Sequence, residues 1–282
     1  EPQLWIWTGD NVYGDTLDMS VLATKYREQS ANPGYQQLQA RVPVTGTWDD
    51  HDYGTNDGDA SYPMKAESQQ LLLDFLGVPA NDPRRTREGV YSSYVLGKVP
   101  RQVKVILLDV RYHREPPGPE ADVLGEEQWR WLENELNGST AQLTLIVSGT
   151  QMLPADHEWE RWAAYPAARQ RLLDLITESG KPGVVLISGD RHFAELTRFK
   201  PKGFYPLYEV TSSGLTHFWE EMPDEVNRAR IQRFYKGLNF GLIEVLWEAR
   251  PGPLLRLEVR DERNHPQIRI EFPLADLAVA DW

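Results

Sequence analysis

The chain has 282 residues, with 42 acidic side chains against 30 basic ones and a formal net charge of −12 at pH 7. This length allows one large domain with a full hydrophobic core, or two smaller ones, and 40% hydrophobic residues is typical of a folded protein. The acidic balance argues against a surface for nucleic acid or an anionic membrane, because both attract clustered lysine and arginine. The absence of cysteine excludes disulfides, thiolate nucleophiles and cysteine-ligated metals.

Apolar runs alternate with helical patterns up to about residue 200, which predicts an α/β fold. Strands are predicted at 4–8, 42–47, 103–108, 143–147 and 184–187, and helices at 18–29, 64–76, 126–136 and 166–178. The pattern then changes to strands at 207–211, 240–247, 254–260 and 267–272, with one helix at 224–235 among them. No repeat and no linker rich in Gly, Ser or Pro divides the chain, so we expect a single domain over residues 1–282.

The sequence shows neither a membrane-spanning segment nor a signal peptide. No run of about 20 apolar residues predicts a membrane-spanning helix, and the first residues lack the charged and apolar segments of a signal peptide. The first predicted strand leads directly into a polar motif at residue 9. A functional motif so close to a natural start is uncommon, so we expect further residues to precede Glu1.

Three polar clusters each follow a predicted strand, where the chain turns at the carboxyl end. Their sequences are Gly9-Asp10-Asn11-Val12-Tyr13, Asp49-Asp50-His51-Asp52 and Gly189-Asp190-Arg191-His192. Open α/β sheets place their ligands at the carboxyl ends of strands, so we expect the clusters to meet at one sheet edge. A Gly-Asp turn alone is common loop chemistry, but three carboxylates in four positions exceed what a turn needs.

The residue types in these clusters point to metal ions. Carboxylate oxygens with one or two imidazoles suit hard or borderline cations. Two such ions about 3.5–4 Å apart clamp the attacking and leaving oxygens in phosphoryl transfer, and an Asp on a glycine turn can approach both. A simple calcium loop is the alternative. The EF-hand pattern fails, however, because Gly54 stands at its fifth position if Asp50 and Asp52 take the first and third.

The three clusters resemble the motifs of the PhoD-like alkaline phosphatases, a branch of the calcineurin-like metallophosphoesterases. The resemblance extends through residues 65–75, 107–111, 124–129, 147–151 and 209–214. It implies a four-layer αββα sandwich, export from the cytoplasm, and hydrolysis of phosphate monoesters or diesters by a metal-bound water or hydroxide. Within the family the alternative activity is that of a phospholipase D. Outside it, the alternative is a calcium-binding protein without catalysis.

The resemblance also implies roles for individual residues. It assigns five metal ligands, which are Asp10, Tyr13, Asp50, Asp190 and His192. Asp10 bridges two ions, Tyr13 binds iron, and His51 contacts the phosphate and the leaving group. Two or more ions are expected, namely calcium and iron, with manganese or zinc as alternatives. The expected partner is a small phosphate ester or a phospholipid head group.

Two ligands of the family pattern have no clear match in this sequence. One lies on an earlier strand, is often a cysteine, and would precede Glu1. The other is a histidine between the second and third clusters, for which the candidates are Gln151, Asp156 and His157. Full activity of a chain without these ligands is therefore an open question at this point.

Several further residues have two interpretations. The guanidinium of Arg111 fits a substrate phosphate, but an ion pair with Asp109 or another acid is an equal alternative. Three histidines are expected in surface or structural roles: His113, His157 and His217. Three tryptophans in loop-like segments are candidates for lining a pocket: Trp159, Trp162 and Trp219.

Overall fold

The protein is described by a computed structural model that covers residues 2–219, 221 and 225–279. The helices are α1 (Met19–Ser30), α2 (Pro33–Gln39), α3 (Asp50–Tyr53), α4 (Lys65–Phe75), α5 (Glu126–Asn137) and α6 (Pro166–Glu178). The first six strands are β1 (Trp5–Thr8), β2 (Val44–Thr47), β3 (Ser92–Lys98), β4 (Arg101–Leu107), β5 (Leu143–Ser148) and β6 (Val184–Ser188). The other six are β7 (Ala194–Phe199), β8 (Leu207–Ser212), β9 (Arg230–Tyr235), β10 (Asn239–Leu246), β11 (Leu254–Asp261) and β12 (Pro266–Pro273).

A seven-stranded mixed sheet, in the order β3-β4-β5-β6-β8-β7-β9, forms the centre of the fold. Strands β4, β5, β6 and β8 run parallel, while β3, β7 and β9 pair antiparallel with their neighbours. Every residue of β5 and β6 is buried, as expected for parallel strands covered on both faces. Helices α5 and α6 and the antiparallel sheet β10-β11-β12 all contribute to the same hydrophobic core.

The helices that cover this sheet form where the sequence predicts them. In α5, Trp129, Leu132 and Leu136 recur on one face and are buried, which gives the amphipathic spacing of a surface helix. Helix α6 begins at Pro166, whose fixed φ suits a first helical position. The predicted α/β class is confirmed. No helix among the described residues is both long enough and apolar enough to cross a bilayer.

One expectation about the sheets is wrong. The three polar clusters do not share a single sheet edge, because β1 and β2 pair parallel to each other in a separate two-stranded sheet, whereas β6 lies in the large sheet. A separate aromatic core around Trp7 supports the small sheet, and the Trp7 indole donates a hydrogen bond to the Tyr35 hydroxyl at 3.1 Å. The Thr47 hydroxyl donates to the carbonyl of Leu108 at 2.7 Å, so the carboxyl ends of β2 and β4 are joined.

The helix predicted at 224–235 is also wrong over the part that the structure describes. Residues Arg230–Tyr235 form β9 on the outer edge of β7, while Asp224 lies outside the described residues. The Arg230 guanidinium binds the buried carboxylate of Glu195 on β7, and Gln232 has a positive φ of 67° where the pairing shifts register. Pairing with a neighbouring strand has overridden the helical propensity of this arginine-rich segment.

A buried carboxylate in the central sheet predicts a pH-dependent stability. Glu209 on β8 is fully buried and accepts the backbone amides of Met152 and Leu153 at 2.9 and 2.6 Å. Burial raises its pKa from 4.5 to about 7. Because the raised pKa belongs to the folded state, this group stabilises the fold fully below about pH 4.5, and that contribution is lost as the pH rises to about 7.

We therefore expect Glu209→Gln to cost more stability at pH 5 than at pH 8. Glutamine resembles the protonated carboxyl but does not ionise, so only the wild type loses stability across this range, by up to about 3 kcal/mol. Urea unfolding of both proteins at the two pH values measures the difference. An equal cost at pH 5 and pH 8 would show that Glu209 keeps an ordinary pKa in the fold.

Candidate metal centre

The three polar clusters meet where the carboxyl ends of β1, β2 and β6 approach one another. Two glycines permit the approach. Gly9 has a φ of 98°, and a Cβ on it would lie 2.5 Å from the Cβ of Asp49. A Cβ on Gly189 would lie 2.8 Å from the carbonyl oxygen of Thr8. Side chains at either position would push the loops apart, so both glycines are required by close backbone contact.

Four aspartates converge at this junction. One carboxylate oxygen from each of Asp10, Asp49, Asp50 and Asp190 lies within 4.8 Å of the other three. Asp10 also belongs to a second group, with His51 and His192, whose ligand atoms lie within the same distance of one another. A carboxylate common to two groups is the arrangement that a bridge between two ions requires.

Several carboxylate oxygens of this centre lack a protein donor. Both oxygens of Asp10, and one oxygen each of Asp49, Asp50 and Asp190, are buried with no hydrogen-bond partner among the described residues. Buried polar atoms are nearly always paired in proteins, and unpaired carboxylates are costly. Hard divalent cations bind clustered carboxylate oxygens that have no hydrogen-bond partner, so these residues fit a metal centre.

The electrostatics agree with this interpretation. Burial, followed by the charge of Asp50, raises the pKa of Asp10 well above its usual value. Burial also raises the pKa of Asp190, and it raises that of Asp49 to about 7. Burial would raise the pKa of Asp50 too, but Arg111 is among the groups that outweigh it, and the pKa is lowered. The carboxylates resist full ionisation together, and bound cations would remove that penalty.

Three residues of the centre have left-handed backbone conformations. The φ angles of Asp10, Asp190 and His192 are 51°, 69° and 54°. Such angles are uncommon outside glycine, although Asp and His adopt them several-fold more often than most other residues. Backbone strain of this kind is concentrated at functional sites, where the surrounding structure holds it in place.

His51 and Tyr13 lie on the same side of Asp10. The Nδ1 atom of His51 is 2.8 Å from a carboxylate oxygen of Asp15, which fixes the direction of the ring. The Tyr13 hydroxyl lies 3.0 Å from Nε2 of His192, which in turn is 3.5 Å from Oδ2 of Asp10. Burial, and next His217, lowers the pKa of His192 to about 4, so its imidazole is neutral, as a metal ligand must be.

A sequence model of the family described as PhoD-like phosphatase matches residues 1–236, which include every residue of this centre. The chain belongs to the PhoD-like phosphatase family. The alkaline phosphatase D of Bacillus subtilis strain 168 is 23% identical over 212 residues, which are 63% of this chain and 36% of that protein. The chain therefore spans little more than a third of the curated relative that it matches.

Two solved structures are similar in fold. One, described as the structure of PhoD, has a TM-score of 0.68 and 17% identity, and the match covers 93% of this chain and 60% of that one. The other is GAP50, described as the anchor in the inner membrane complex of Plasmodium, with a TM-score of 0.61 and 12% identity over 99% of this chain and 79% of that one. The family model confirms the family predicted from sequence, while these structural matches and the mixed sheet confirm the metallophosphoesterase-type α/β fold.

In this PhoD-like chain Arg111 is engaged by carboxylates. Its side chain is fully buried, with Nε donating to Asp49 at 2.8 Å and Nη1 donating to Glu160 at 3.1 Å. Nη2 also lies 3.6 Å from Asp50. Of the two roles that the sequence leaves open, the ion pair is therefore formed, although its partners are Asp49 and Glu160. Asp109 instead accepts the Arg111 backbone amide.

None of the three candidates for the unmatched family histidine joins the metal groups found among the described residues. The Gln151 amide donates to Glu195 and Thr211 at 2.7 and 2.9 Å, and Asp156 pairs with the exposed side chain of Arg228. Burial, and then nearby arginines, lowers the pKa of His157 to about 3. The contacts of Gln151 and Asp156 favour structural roles, although Gln151 Oε1 and both ring nitrogens of His157 are buried without a partner among the described residues.

The family motifs alone did not reveal Asp49 or Asp52. Asp49 contributes to the four-aspartate group, although the resemblance singled out only Asp50 in that motif. Asp52 is fully buried and accepts the backbone amides of Asp10 and Asp49 at 3.2 and 2.8 Å, and also the Asn11 side chain at 2.6 Å. It therefore ties the first motif to the second. The sequence feature that could have indicated both residues is the run of three carboxylates within the four positions 49–52.

Some of the other candidate histidines and tryptophans are buried in the core, and others are exposed near the metal centre. Trp162 is fully buried, with its indole donating to Ser148 at 3.1 Å, so it packs in the core and lines no pocket. His217 is exposed as predicted, yet its ring lies 4.7 Å from that of His192. Trp159 and Trp219 are exposed and contact each other, and their lining of a pocket stays a prediction.

Proposed function

We propose that the chain hydrolyses phosphate esters with metal ions held by the centre described above. The observation that carries the proposal is the pair of metal-capable groups that share Asp10, with buried carboxylate oxygens that no described residue satisfies. Membership of the PhoD-like phosphatase family and the match to alkaline phosphatase D of Bacillus subtilis support the same reaction. The substrate is proposed to be a small phosphate monoester or diester.

The donor atoms suggest which ions bind where. Carboxylate oxygens of Asp10, Asp49, Asp50 and Asp190 suit calcium, whereas Asp10 and His192, with Tyr13 beside them, suit iron, or else manganese or zinc, and leave His51 unbound. When bound, such ions neutralise phosphate charge and make water more acidic. Asp52 and Arg111 hold the carboxylates in position, and the loop conformations at Asp10 and Asp190 keep their oxygens directed at the shared centre.

His51 is proposed to give a proton to the leaving oxygen. Burial alone would lower its pKa, but Asp50 and Asp15 outweigh burial and raise it. The hydrogen bond that Nδ1–H of His51 donates to the Asp15 carboxylate leaves Nε2 as the ring nitrogen available to substrate. Asp15 thus acts as a positioning residue.

Elemental analysis of the purified protein, combined with rates on aryl monoesters, diesters and a phosphatidylcholine, tests the proposal. Hydrolysis that is lost with EDTA and restored by calcium with iron is the expected result. Release of choline alone would favour the phospholipase D alternative. Bound calcium with a higher melting temperature and no hydrolysis of any ester would identify a non-catalytic calcium-binding protein. Export and a further ligand upstream of Glu1 remain predictions of the family resemblance.

We expect His51→Gln to keep its metal and lose turnover, most strongly on esters with poor leaving groups. A protonated leaving oxygen matters most when the alcohol is weakly acidic, so the loss should be about 100-fold or more on alkyl phosphates and smaller on 4-nitrophenyl phosphate. The metal content and both rates are measured for this variant and for His265→Gln, a control in an exposed turn. Equal losses on the two esters would argue against proton donation by His51.

A further inference from the structure

Two exposed tryptophans lie together beside the candidate metal centre. Trp159 and Trp219 are 50% and 40% exposed, and their rings meet edge to face with centroids 5.7 Å apart. Large aromatic side chains usually bury their surface, and a pair left open in this way offers an angled apolar surface, with the two rings 80° apart, to a ligand.

Trp219 belongs to a segment that contacts the centre through two hydrogen bonds and one ring contact. The Thr216 hydroxyl donates to the carbonyl oxygen of Asp10 at 2.9 Å, and the His217 ring lies against His192 with centroids 4.7 Å apart. The backbone amide of Trp219 itself donates to the carbonyl oxygen of His192 at 3.3 Å. The backbone of Trp219 is therefore hydrogen-bonded directly to that of a proposed metal ligand.

Trp159 is held beside the same centre from another direction. Its chain neighbour Glu160 binds the guanidinium of Arg111, which in turn binds Asp49. The Arg191 guanidinium lies 5.4 Å from the centroid of the Trp159 ring and 3.8 Å from the Asp190 carboxylate. Both indoles are thus fixed through short chains of contacts to residues of the metal centre.

The guanidinium beside Trp159 and Trp219 favours an aromatic ligand over a cationic one. The Arg191 guanidinium, which is also paired with Glu225 and Asp190, already lies over the Trp159 ring, so a quaternary ammonium group would have to take its place there. A planar ring with electron-rich faces stacks on indoles and tolerates a neighbouring guanidinium. A choline head group is therefore the poorer ligand for this surface.

We propose that Trp159 and Trp219 form a subsite for a planar aromatic ring on the alcohol side of the phosphoester. This inference rests on the proposed function and narrows its substrate class to esters of aromatic alcohols or of nucleosides. The phosphate lies at the metal centre, and the ring stacks on the indoles as its ester bond to phosphorus breaks. In water hydrolysis the alcohol leaves with a proton and the phosphate keeps the attacking oxygen, so no further reactant is needed.

The test compares esters with and without a ring in the double variant Trp159→Ala/Trp219→Ala. We expect kcat/KM to fall about tenfold for 2-naphthyl phosphate, mainly through KM, and to change less than twofold for glycerol 2-phosphate. Adenosine 5′-phosphate distinguishes a nucleoside, whose ring is one ribose away, from a directly attached aryl group. Trp131→Ala, at a ring that contacts Tyr91, is the matched control. Equal changes on both esters would overturn the proposal.

Binding without turnover gives an independent readout. Naphthylmethylphosphonate and ethylphosphonate are titrated by calorimetry into the metal-loaded wild type and double variant, which should differ about tenfold in Kd for the first ligand only. A Kd for naphthylmethylphosphonate that is unchanged in the variant would overturn the subsite. If the wild type hydrolyses none of the esters, the proposed function fails, while this binding measurement still decides the subsite.

Discussion

Replacing Asp10 with asparagine should abolish phosphate-ester hydrolysis and at the same time stabilise the metal-free protein. Asp10 is the carboxylate shared by the four-aspartate group and the group with His51 and His192, so its loss should lower turnover roughly 1,000-fold or more. Both of its oxygens are buried without a protein donor, beside Asp49, Asp50 and Asp190. Removing one of four clustered charges should therefore raise the free energy of unfolding of the metal-free protein by about 1–3 kcal/mol at pH 8.

The measurement is urea unfolding with EDTA and with added calcium and iron, together with rates on 4-nitrophenyl phosphate. The wild type should gain stability when metal is added, whereas Asp10→Asn should gain far less, because its centre binds the ions poorly. Asp174→Asn, at an exposed position on α6, controls for the change in net charge. Normal hydrolysis by Asp10→Asn would refute the assignment of the centre, and a less stable metal-free variant would refute its electrostatic basis.

Arg111→Ala should be the most destabilising single change at the centre, at about 3–5 kcal/mol in the metal-free protein. The guanidinium is fully buried among Asp49, Asp50 and Glu160, and its removal leaves these carboxylates without their main counter-charge. Added metal should recover part of the loss, because cations would then carry more of the neutralisation. The gain in melting temperature on metal addition should consequently be larger in this variant than in the wild type.

Two comparisons separate this structural role from contact with substrate. Arg111→Lys keeps the charge but not the planar fork, so it should fall between the wild type and Arg111→Ala in stability. Arg256→Ala removes an arginine that pairs with Glu244 and Glu271 near the surface, and it should cost no more than about 1 kcal/mol. If Arg111→Ala instead raised KM and left stability unchanged, the guanidinium would be binding the substrate phosphate.

The elements that the sequence predicts well are those whose patterns are local. Helices α5 and α6 carry their own amphipathic spacing and end signals, and the buried strands β5 and β6 are continuous apolar runs. The segment Arg230–Tyr235 has helical propensity but forms β9, because the open edge of β7 and the buried Glu195 offer it partners. Glu195 precedes Arg230 by 35 residues, so a pattern within the segment itself cannot predict the pairing.

By itself, the sequence indicated the residues that are proposed to carry the chemistry. Asp10, Asp50, Asp190 and His192 stand in short motifs directly after strands, and the turn that ends a strand fixes where such side chains begin. The net charge of −12 and the absence of cysteine narrowed the expected metal ligands to oxygen and nitrogen atoms. Family membership follows from the same motifs.

Only the tertiary structure decided how those residues are held and what lies beside them. It brought β1 and β2 in their own sheet against the end of β6, and it gave Arg111 its partners Asp49 and Glu160. It also placed Trp219 next to His192. These contacts join residues far apart in the chain, and their free energy comes from burial and charge pairing that exist only once the layers have packed.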